Sequence, residues 1–245
     1  MTPPIPRPAL HPWPTLHPWP ATEAEAEALQ TALLAQCHLA PLAPLTADTL
    51  IAGCDLAYDL DEGACHAVVV VARDHGATVV EQVGISLPVR FPYVPGLLSF
   101  REVPALLAAF EQLRTRPDVI LCDGQGIAHP RGLGLASHLG LWLNCPTVGC
   151  AKSWLIGDYP PPPPGPGSSP LSIEGRVVGA VVRRIAGVNP VFVSPGHLAD
   201  VAGAAALVRA CAGPYRVPEP LRTADLLTRT RRGAVARLDP GQPLG

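Results

Sequence analysis

The chain has 245 residues, of which 48% are hydrophobic, and its formal net charge is −2. This length suits one domain or at most two, and the apolar content is enough to bury a full-sized core, so a globular enzyme is expected. The charge excludes an overall basic field for a polyanion, so any nucleic-acid surface must come from local clustering.

The first 20 residues are rich in proline and contain a short duplication, His-Pro-Trp-Pro, at residues 11–14 and 17–20. Such a segment forms neither a helix nor a central strand, so we predict a flexible arm, with partner binding by the two tryptophans as the alternative. The N-terminus has no leader of the secretory type, and no apolar run reaches about 18 residues. We therefore expect neither secretion nor membrane insertion.

Residues 22–36 are rich in Ala, Glu and Leu and predict a helix, which Thr22 would cap with Glu25 in the capping-box position. Three apolar or β-branched runs follow, separated by Asp-Glu-Gly and Asp-His-Gly turns. They predict an antiparallel three-strand meander over residues 50–58, 64–73 and 78–87.

Helices and strands then alternate. The pattern predicts helices over residues 99–114, 134–143 and 198–211, and strands over residues 118–122, 147–150, 176–184 and 190–193. The Pro-rich residues 160–170 read as a solvent-exposed insertion. A meander followed by parallel strands joined through helices is the order of the ribonuclease H-like fold, a mixed sheet flanked by helices.

We assign residues 21–228 to this single domain and residues 229–245 to an arginine-containing tail. Arginines cluster towards the C-terminus, where they serve either as a solvated tail or as phosphate contacts: Arg216, Arg222, Arg229, Arg231, Arg232 and Arg237. Seven scattered cysteines with no Cys-x-x-Cys pair argue against a disulfide framework and a zinc site, and favour a reducing cytoplasm.

Two aspartates occupy apolar strands. Asp55 lies within the first predicted strand, and Asp123 ends the run Val-Ile-Leu-Cys at residues 119–122. On adjacent strands they would converge into the oxygen cage that Mg²⁺ prefers, placed for phosphodiester hydrolysis. The alternatives are an ion pair for Asp55 and a turn or capping residue for Asp123.

Glu102 stands three residues after Ser99, which is the spacing of a capping box. Pro104 lacks an N–H where the first helical turn should close, so the capping geometry is imperfect. Both a capping and a functional carboxylate fit this position.

A glycine-rich loop spans residues 123–134 without matching a P-loop or a dinucleotide fingerprint. Glycines there allow a base or a phosphate to approach the main chain directly. His129 beside them is either a proton donor, a phosphate contact or a structural residue. Lys152 would enter the same end of the sheet and stabilise developing phosphate charge.

Six segments in this order strongly resemble the endonuclease V family. They are residues 91–102 (FPYVPGLLSFRE), 117–131 (PDVILCDGQGIAHPR), 136–140 (ASHLG), 146–152 (PTVGCAK), 194–197 (SPGH) and 215–220 (YRVPEP). The resemblance implies a ribonuclease H-like fold, dependence on Mg²⁺ with Mn²⁺ as a substitute, and a monomer that acts on nucleic acid. It further implies hydrolysis of the second phosphodiester 3′ to a deaminated base such as hypoxanthine, leaving 3′-hydroxyl and 5′-phosphate ends.

By the same resemblance, Asp55 and Asp123 are the metal ligands, Glu102 the third acidic residue and Lys152 the catalytic lysine. Asp225 falls where the family places a residue that assists the metal site. Tyr93 corresponds to the wedge that fills the gap left by the extruded base, against the alternative of a surface-loop aromatic. The implied base pocket comprises Gly96, Leu98, Gly124, Gly134, Leu135, Gly149 and Ala151.

Two positions depart from the family pattern. Gln125 stands where a histidine or asparagine is expected, and Ser153 where a basic residue is frequent. Alternatives to deoxyinosine cleavage are an inosine-specific endoribonuclease, a structure-specific nuclease resembling Holliday-junction resolvases, and a module that binds inosine without cutting. The resolvase-like reading needs no base pocket or wedge, and the binding module needs no carboxylates.

Overall fold

The computed structural model describes residues 13–59 and 63–232, which form one mixed sheet with helices on both faces. The helices are α1 (Glu23–Leu34), α2 (Leu98–Phe110), α3 (Leu135–Leu143), α4 (Val201–Ala210) and α5 (Glu219–Arg232). The strands are β1 (Ile51–Asp59), β2 (Ala64–Arg73), β3 (Thr78–Pro88), β4 (Val119–Cys122), β5 (Thr147–Ala151), β6 (Gly167–Ile173), β7 (Arg176–Arg183) and β8 (Val191–Pro195).

The strand order is β3-β2-β1-β4-β5-β8-β7-β6. Strands β1 to β3 form the expected antiparallel meander, and β4 and β5 extend it in parallel to β1. Strands β8, β7 and β6 continue the sheet in antiparallel pairs, so parallel pairing is restricted to its centre. This topology is the predicted ribonuclease H-like fold.

Alternate residues of the central strands face two separate cores, as the period of a β-strand requires. Ala52 and Cys54 of β1 pack with α2 and α3, whereas Ile51 packs with α4 and Leu221 of α5. The alternation places Asp55 on the same face of β1 as Ile51. The Asp55 carboxylate therefore points towards α5.

Helix α5 lies directly on β1 because Gly53 has no side chain. A Cβ atom at Gly53 would be 2.3 Å from the carbonyl carbon of Pro220, at the start of the helix. Further along, Ala224 is fully buried against Val68 and Val70 of β2. This close contact brings the last described helix onto the strand that carries Asp55.

The helix α5 was not predicted, and it corrects the domain boundary. Arg229 and the three residues after it belong to α5 rather than to a separate tail; residues 233–245 lie outside the described part of the chain. The first described helix was predicted correctly, since Thr22 and Glu25 form both bonds of a capping box.

The Pro-rich insertion is also shorter than predicted. Residues 167–170 form the start of β6, which pairs with β7 at the edge of the sheet. Pro170 is tolerated in β6 because β6 is an edge strand of the described sheet, where a residue without an N–H interrupts no second row of hydrogen bonds. The residues before Gly167 lie outside the strands and are mostly exposed, although Pro162 is buried.

The described part of the N-terminal arm packs against the domain, contrary to the flexible arm predicted for residues 1–20. His17 is buried, its Nε2 atom lies 2.8 Å from Nε2 of His138, and it accepts a bond from Trp142 Nε1 at 3.2 Å. Trp19 stacks on Trp142 with ring centroids 5.4 Å apart. Residues 1–12 lie outside the described ranges. Among the described residues, no helix is both long and apolar enough to cross a membrane.

Candidate active site

Three carboxylates from distant parts of the chain meet at one end of the sheet. One oxygen atom from each of Asp55, Asp123 and Asp225 lies within 4.8 Å of the others. Asp55 comes from β1, Asp123 follows β4, and Asp225 projects from α5. The predicted pair Asp55 and Asp123 is thus brought together, and Asp225 completes a group of three.

The carboxylates line an open cleft of about 450 Å³. Its remaining walls come from the second half of β1 and from α5, including Tyr58, Thr228 and Arg229. The cleft is therefore built between the strand and the helix that Gly53 allows to approach it.

Lys152 bridges two of the carboxylates. Its ammonium nitrogen donates to Asp123 Oδ2 at 2.5 Å and to Asp225 Oδ1 at 2.8 Å. Burial alone would lower the pKa of Lys152, but these bonds outweigh it and raise the pKa above its ordinary value. The side chain is therefore a cation, suited to stabilise negative charge rather than to accept a proton.

The basic residues of the sequence set Lys152 apart. It is the only lysine among the 18 basic residues of the chain, the other 17 being arginine. An ammonium is a compact point charge, and a planar guanidinium does not reproduce it.

Asp55 is 8% exposed and faces two further carboxylates. Burial raises the pKa of Asp55, and the negative charge of Asp123 raises it further, while the bond from Thr228 opposes both effects. At Asp225, by contrast, burial alone would raise the pKa, but the bonds and charges of Lys152 and Arg229 outweigh burial and lower the pKa. Among these two aspartates, the ionised form is therefore disfavoured at Asp55 and favoured at Asp225.

Glu102 approaches the cleft from the α2 side and does not join the three converging oxygens. Its Oε1 accepts a bond from the Tyr58 hydroxyl at 2.9 Å. Burial raises the pKa of Glu102 to about 8, and the charges of Asp55 and Asp123 contribute in the same direction. The capping-box alternative is wrong, because no side chain caps α2 and the Ser99 hydroxyl instead lies 3.0 Å from His138 Nδ1.

Sequence reasoning missed Thr228. This residue is 1% exposed, and its hydroxyl lies 3.0 Å from Asp55 Oδ2 and 2.9 Å from the main-chain oxygen of Asp225. A threonine three residues after Asp225 lies on the same helical face, so the signal existed only once α5 was known.

His129 lies with the loop at Gly96 rather than among the residues that line the cleft. Its Nδ1 accepts a bond from the Arg131 amide at 3.2 Å. Burial, with the Arg131 charge, lowers the pKa of His129 to about 4. At neutral pH His129 is uncharged, so a contact with a phosphate would be a neutral hydrogen bond and not an ion pair.

Tyr93 is 70% exposed although the loop around it is fixed. At one end, buried Phe91 packs on Phe100, and its carbonyl accepts a bond from Arg101 at 2.9 Å. At the other end, the Leu97 amide bonds to the Val94 carbonyl at 3.0 Å. A large aromatic held in solvent by an ordered loop is suited to stacking on a partner.

Two glycines of the predicted base pocket, Gly134 and Gly149, are packed against protein main chain, whereas Gly96 and Gly124 face the side chains of Arg131 and Leu135. A Cβ at Gly134 would be 2.4 Å from the Gln125 carbonyl oxygen, and one at Gly149 would be 2.6 Å from the Gly124 oxygen. Leu135 and Ala151 are buried beside them, whereas Leu98 is 37% exposed. These glycines are therefore required for the loops to pack, and Leu98 presents the accessible surface.

The acidic group fits a divalent cation. All three side chains offer carboxylate oxygens, the ligands that hard cations such as Mg²⁺ and Mn²⁺ prefer. A bound cation would also relieve the repulsion that raises the pKa of Asp55. With a ribonuclease H-like sheet, a carboxylate group at the strand ends and an adjacent lysine, the fold and the site define a metal-dependent nuclease.

Comparison with known proteins identifies the family. A sequence model of endonuclease V matches residues 33–226. The endonuclease V of Trichormus variabilis is 48% identical over 182 residues, covering 74% of this chain and 82% of the relative. That of Dehalococcoides mccartyi is 49% identical over 183 residues, with the same coverage. The chain belongs to the endonuclease V family.

Solved structures agree. The endonuclease V of Streptomyces avermitilis superposes with a TM-score of 0.83 at 42% identity, covering 87% of this chain and 94% of that chain. An endonuclease V variant of Ciona intestinalis, bound to a 23mer DNA containing an inosine followed by a ribo-adenosine, gives a TM-score of 0.76 at 26% identity. It covers 86% of this chain and 96% of that chain.

Proposed function

We propose that the protein is a DNA repair endonuclease that hydrolyses the second phosphodiester 3′ to a deaminated base such as hypoxanthine, leaving 3′-hydroxyl and 5′-phosphate ends. The observation that carries the proposal is the convergence of Asp55, Asp123 and Asp225 with Lys152 in one cleft. Family membership and the inosine-containing DNA bound by the Ciona relative supply the substrate class.

Asp55, Asp123 and Asp225 would hold Mg²⁺, for which Mn²⁺ substitutes. Glu102 is a fourth acidic group, close enough to Asp55 for the charge of Asp55 to raise its pKa. When bound, the cation supplies Lewis-acid polarisation of the phosphodiester and of the attacking water. All seven cysteines are free, including Cys54 and Cys122 with sulfur atoms 3.6 Å apart, which supports a reducing cytoplasm; the monomer is proposed from the family resemblance.

The charged side chains prepare the cleft for a phosphate. Among the described residues, the three carboxylates are accompanied by two paired cations, Lys152 and Arg229, which leaves the group with an excess of negative charge. With a divalent ion held by these carboxylates, the net charge of the cleft would become positive, and the cleft would attract a phosphodiester. Lys152, whose raised pKa keeps it protonated, would lie beside a phosphate bound at these carboxylates and stabilise the negative charge that develops during in-line attack.

Tyr93 is the candidate for the wedge. Its exposed ring would stack in the gap that an extruded base leaves, and base stacking on an aromatic contributes ~1–3 kcal/mol. The accessible Leu98, at the start of α2, would contact the extruded base on the same side. His129, neutral and bonded into the neighbouring loop, is omitted from the chemical step.

The experiment is cleavage of end-labelled single and double strands that carry one deoxyinosine, with matched deoxyadenosine strands and inosine-containing RNA. Each is incubated with Mg²⁺, Mn²⁺ or EDTA, and the cut is mapped to the nucleotide. A metal-dependent nick at the second phosphodiester 3′ to the deoxyinosine supports the proposal. Equal cutting of undamaged or branched strands would replace it with a structure-specific nuclease, and faster cutting of RNA with an endoribonuclease.

Two variants test the site itself. Asp55→Asn and Lys152→Met should each reduce single-turnover cleavage by at least ~10²-fold while deoxyinosine strands still bind. Glu174→Gln, at an exposed turn after β6, is the matched control and should cleave as the wild type does. Cleavage retained by Asp55→Asn would exclude the carboxylate group as the active site, and binding without cleavage by the wild type would indicate a recognition module.

A further inference from the structure

A fully buried amide on α1 joins two loops that lie far apart in sequence. Gln30 is 0% exposed. Its Nε2 donates to the Gly96 carbonyl at 3.0 Å and to the Leu133 carbonyl at 2.8 Å, while its Oε1 accepts from Arg131 Nε at 2.5 Å. Both amide protons are therefore used on main-chain carbonyls, which makes the side chain a specific bridge.

Arg131 reinforces the same contact. Its Nη2 donates to the Gly96 carbonyl at 3.3 Å, and its Nη1 forms an ion pair with Glu27 Oε1 at 3.0 Å, one turn before Gln30. Gly96 has φ +81°, and a Cβ there would be 2.9 Å from Arg131 Nη2. The peptide after Gly96 is thus held from two sides in a conformation that favours glycine.

Each of the two bridged loops carries residues of the proposed base pocket. Gly96 lies three residues after the exposed Tyr93 and two before Leu98, where α2 begins without a side-chain cap. Leu133 precedes Gly134 and Leu135 at the start of α3. The separation between these loops is therefore set by the Gln30 side chain with the support of Arg131, and neither residue lines the cleft.

We infer that Gln30 is a positioning residue for base discrimination, acting by fixing the Gly96 and Leu133 carbonyls and hence the width of the pocket. The inference rests on the proposed function. Gln30 lies outside residues 33–226, which the family model matches, so the assignment comes from its contacts alone. A pocket held at fixed width rejects a base whose edge groups do not fit, and a loosened pocket loses that rejection.

The test measures binding in EDTA, so that it does not depend on cleavage. Fluorescence anisotropy gives Kd values for single strands carrying either deoxyinosine or deoxyadenosine at one position. Gln30→Met keeps the volume and removes all three bonds. We expect the wild-type preference for deoxyinosine to fall by about three- to tenfold, which corresponds to the net contribution of one hydrogen bond. Gln30→Glu, which accepts from Arg131 but cannot donate to Gly96, should behave like Gln30→Met.

A matched control separates discrimination from stability. Leu33→Ala removes a buried side chain from the same helix without a bond to Gly96, so it should lower the Tm and leave the preference unchanged. The Arg131 side chain is partly exposed, so Arg131→Lys should disturb folding less than a change at the buried Gln30 does. It should also reduce the preference for deoxyinosine. An unchanged preference in Gln30→Met and Arg131→Lys would overturn the inference, as would an equal change in Leu33→Ala. A wild type without any preference would instead overturn the proposed function.

Discussion

The only lysine of the chain, Lys152, lies with its ammonium nitrogen 2.8 Å from Oδ1 of Asp225, a residue 73 positions further along the sequence. The contact joins the end of β5 to α5 across the cleft. Because no other lysine exists, the protonation of this one group can be followed without assignment.

Selective labelling with ¹⁵N-lysine should give one side-chain resonance, and we expect it to titrate above the ordinary lysine pKa of 10.5 in the metal-free protein. The folded pKa is raised, so the stability from this contact is present below the unfolded pKa and lost as pH rises through the folded pKa. Asp225→Asn should lower the pKa, since it removes one of the two partners. A titration below the ordinary value would contradict the contact.

Removing the Thr228 hydroxyl should weaken divalent-cation binding. Thr228→Val keeps the shape but leaves Asp55 Oδ2 without its donor, and loss of such a supporting contact costs about 10- to 100-fold in metal affinity. Free Mn²⁺ measured by EPR gives the affinity directly. Thr228→Ser should restore it; if the serine variant bound as weakly as the valine variant, the hydroxyl would not be the cause.

Glu102 should make the metal-free protein less stable as pH rises. Burial raises the folded pKa of Glu102 to about 8, while its ordinary value is 4.5, so between these values the folded state holds a proton that the unfolded state has released. Stability from this group is therefore full below pH 4.5 and lost as pH rises through 8.

Glu102→Gln, which stays neutral, should flatten this dependence. In EDTA its Tm should match the wild type near pH 5 and exceed it near pH 8.5, as followed by circular dichroism. A wild-type Tm that rose over this range relative to the variant would mean that Glu102 is ionised in the folded protein at neutral pH.

Gly53→Ala should displace α5. The added Cβ would be 2.3 Å from the Pro220 carbonyl carbon, and main-chain atoms cannot yield as a flexible side chain can. We expect the free energy of unfolding, measured with urea, to fall by ~1–3 kcal/mol or more. Gly165→Ala is the control, because nothing lies within 4 Å of its Cβ position. Equal stability of the two variants would refute the close contact.

The meander, the parallel centre of the sheet and the pair Asp55 and Asp123 were predictable because each follows from a local pattern. The strands are alternating or apolar runs, and each aspartate lies within such a run or directly after it. Helix α5 was not, since its exposed face is strongly charged and only a few positions such as Leu221 and Ala224 are buried. A helix of that composition resembles a solvated tail until its partner strand is known.

The contacts that complete the site were unpredictable for a different reason. Thr228 bonds to a residue 173 positions away, and Tyr58 reaches Glu102 across 44. His17 was assigned to a flexible arm because a polar side chain in a Pro-rich segment gives no sign of burial; His138 and Trp142 supply its partners only in the folded chain. Local patterns contain no information on such pairings.

The position of α5 has a consequence for when the enzyme becomes able to cut. A growing or proteolysed chain that stops before Glu219 would contain Asp55, Glu102, Asp123 and Lys152, yet it would lack Asp225 and leave Val68 and Val70 of β2 uncovered. Nuclease activity would thus arise only when the last described helix has been synthesised and has docked, so partial products would be unable to nick nucleic acid.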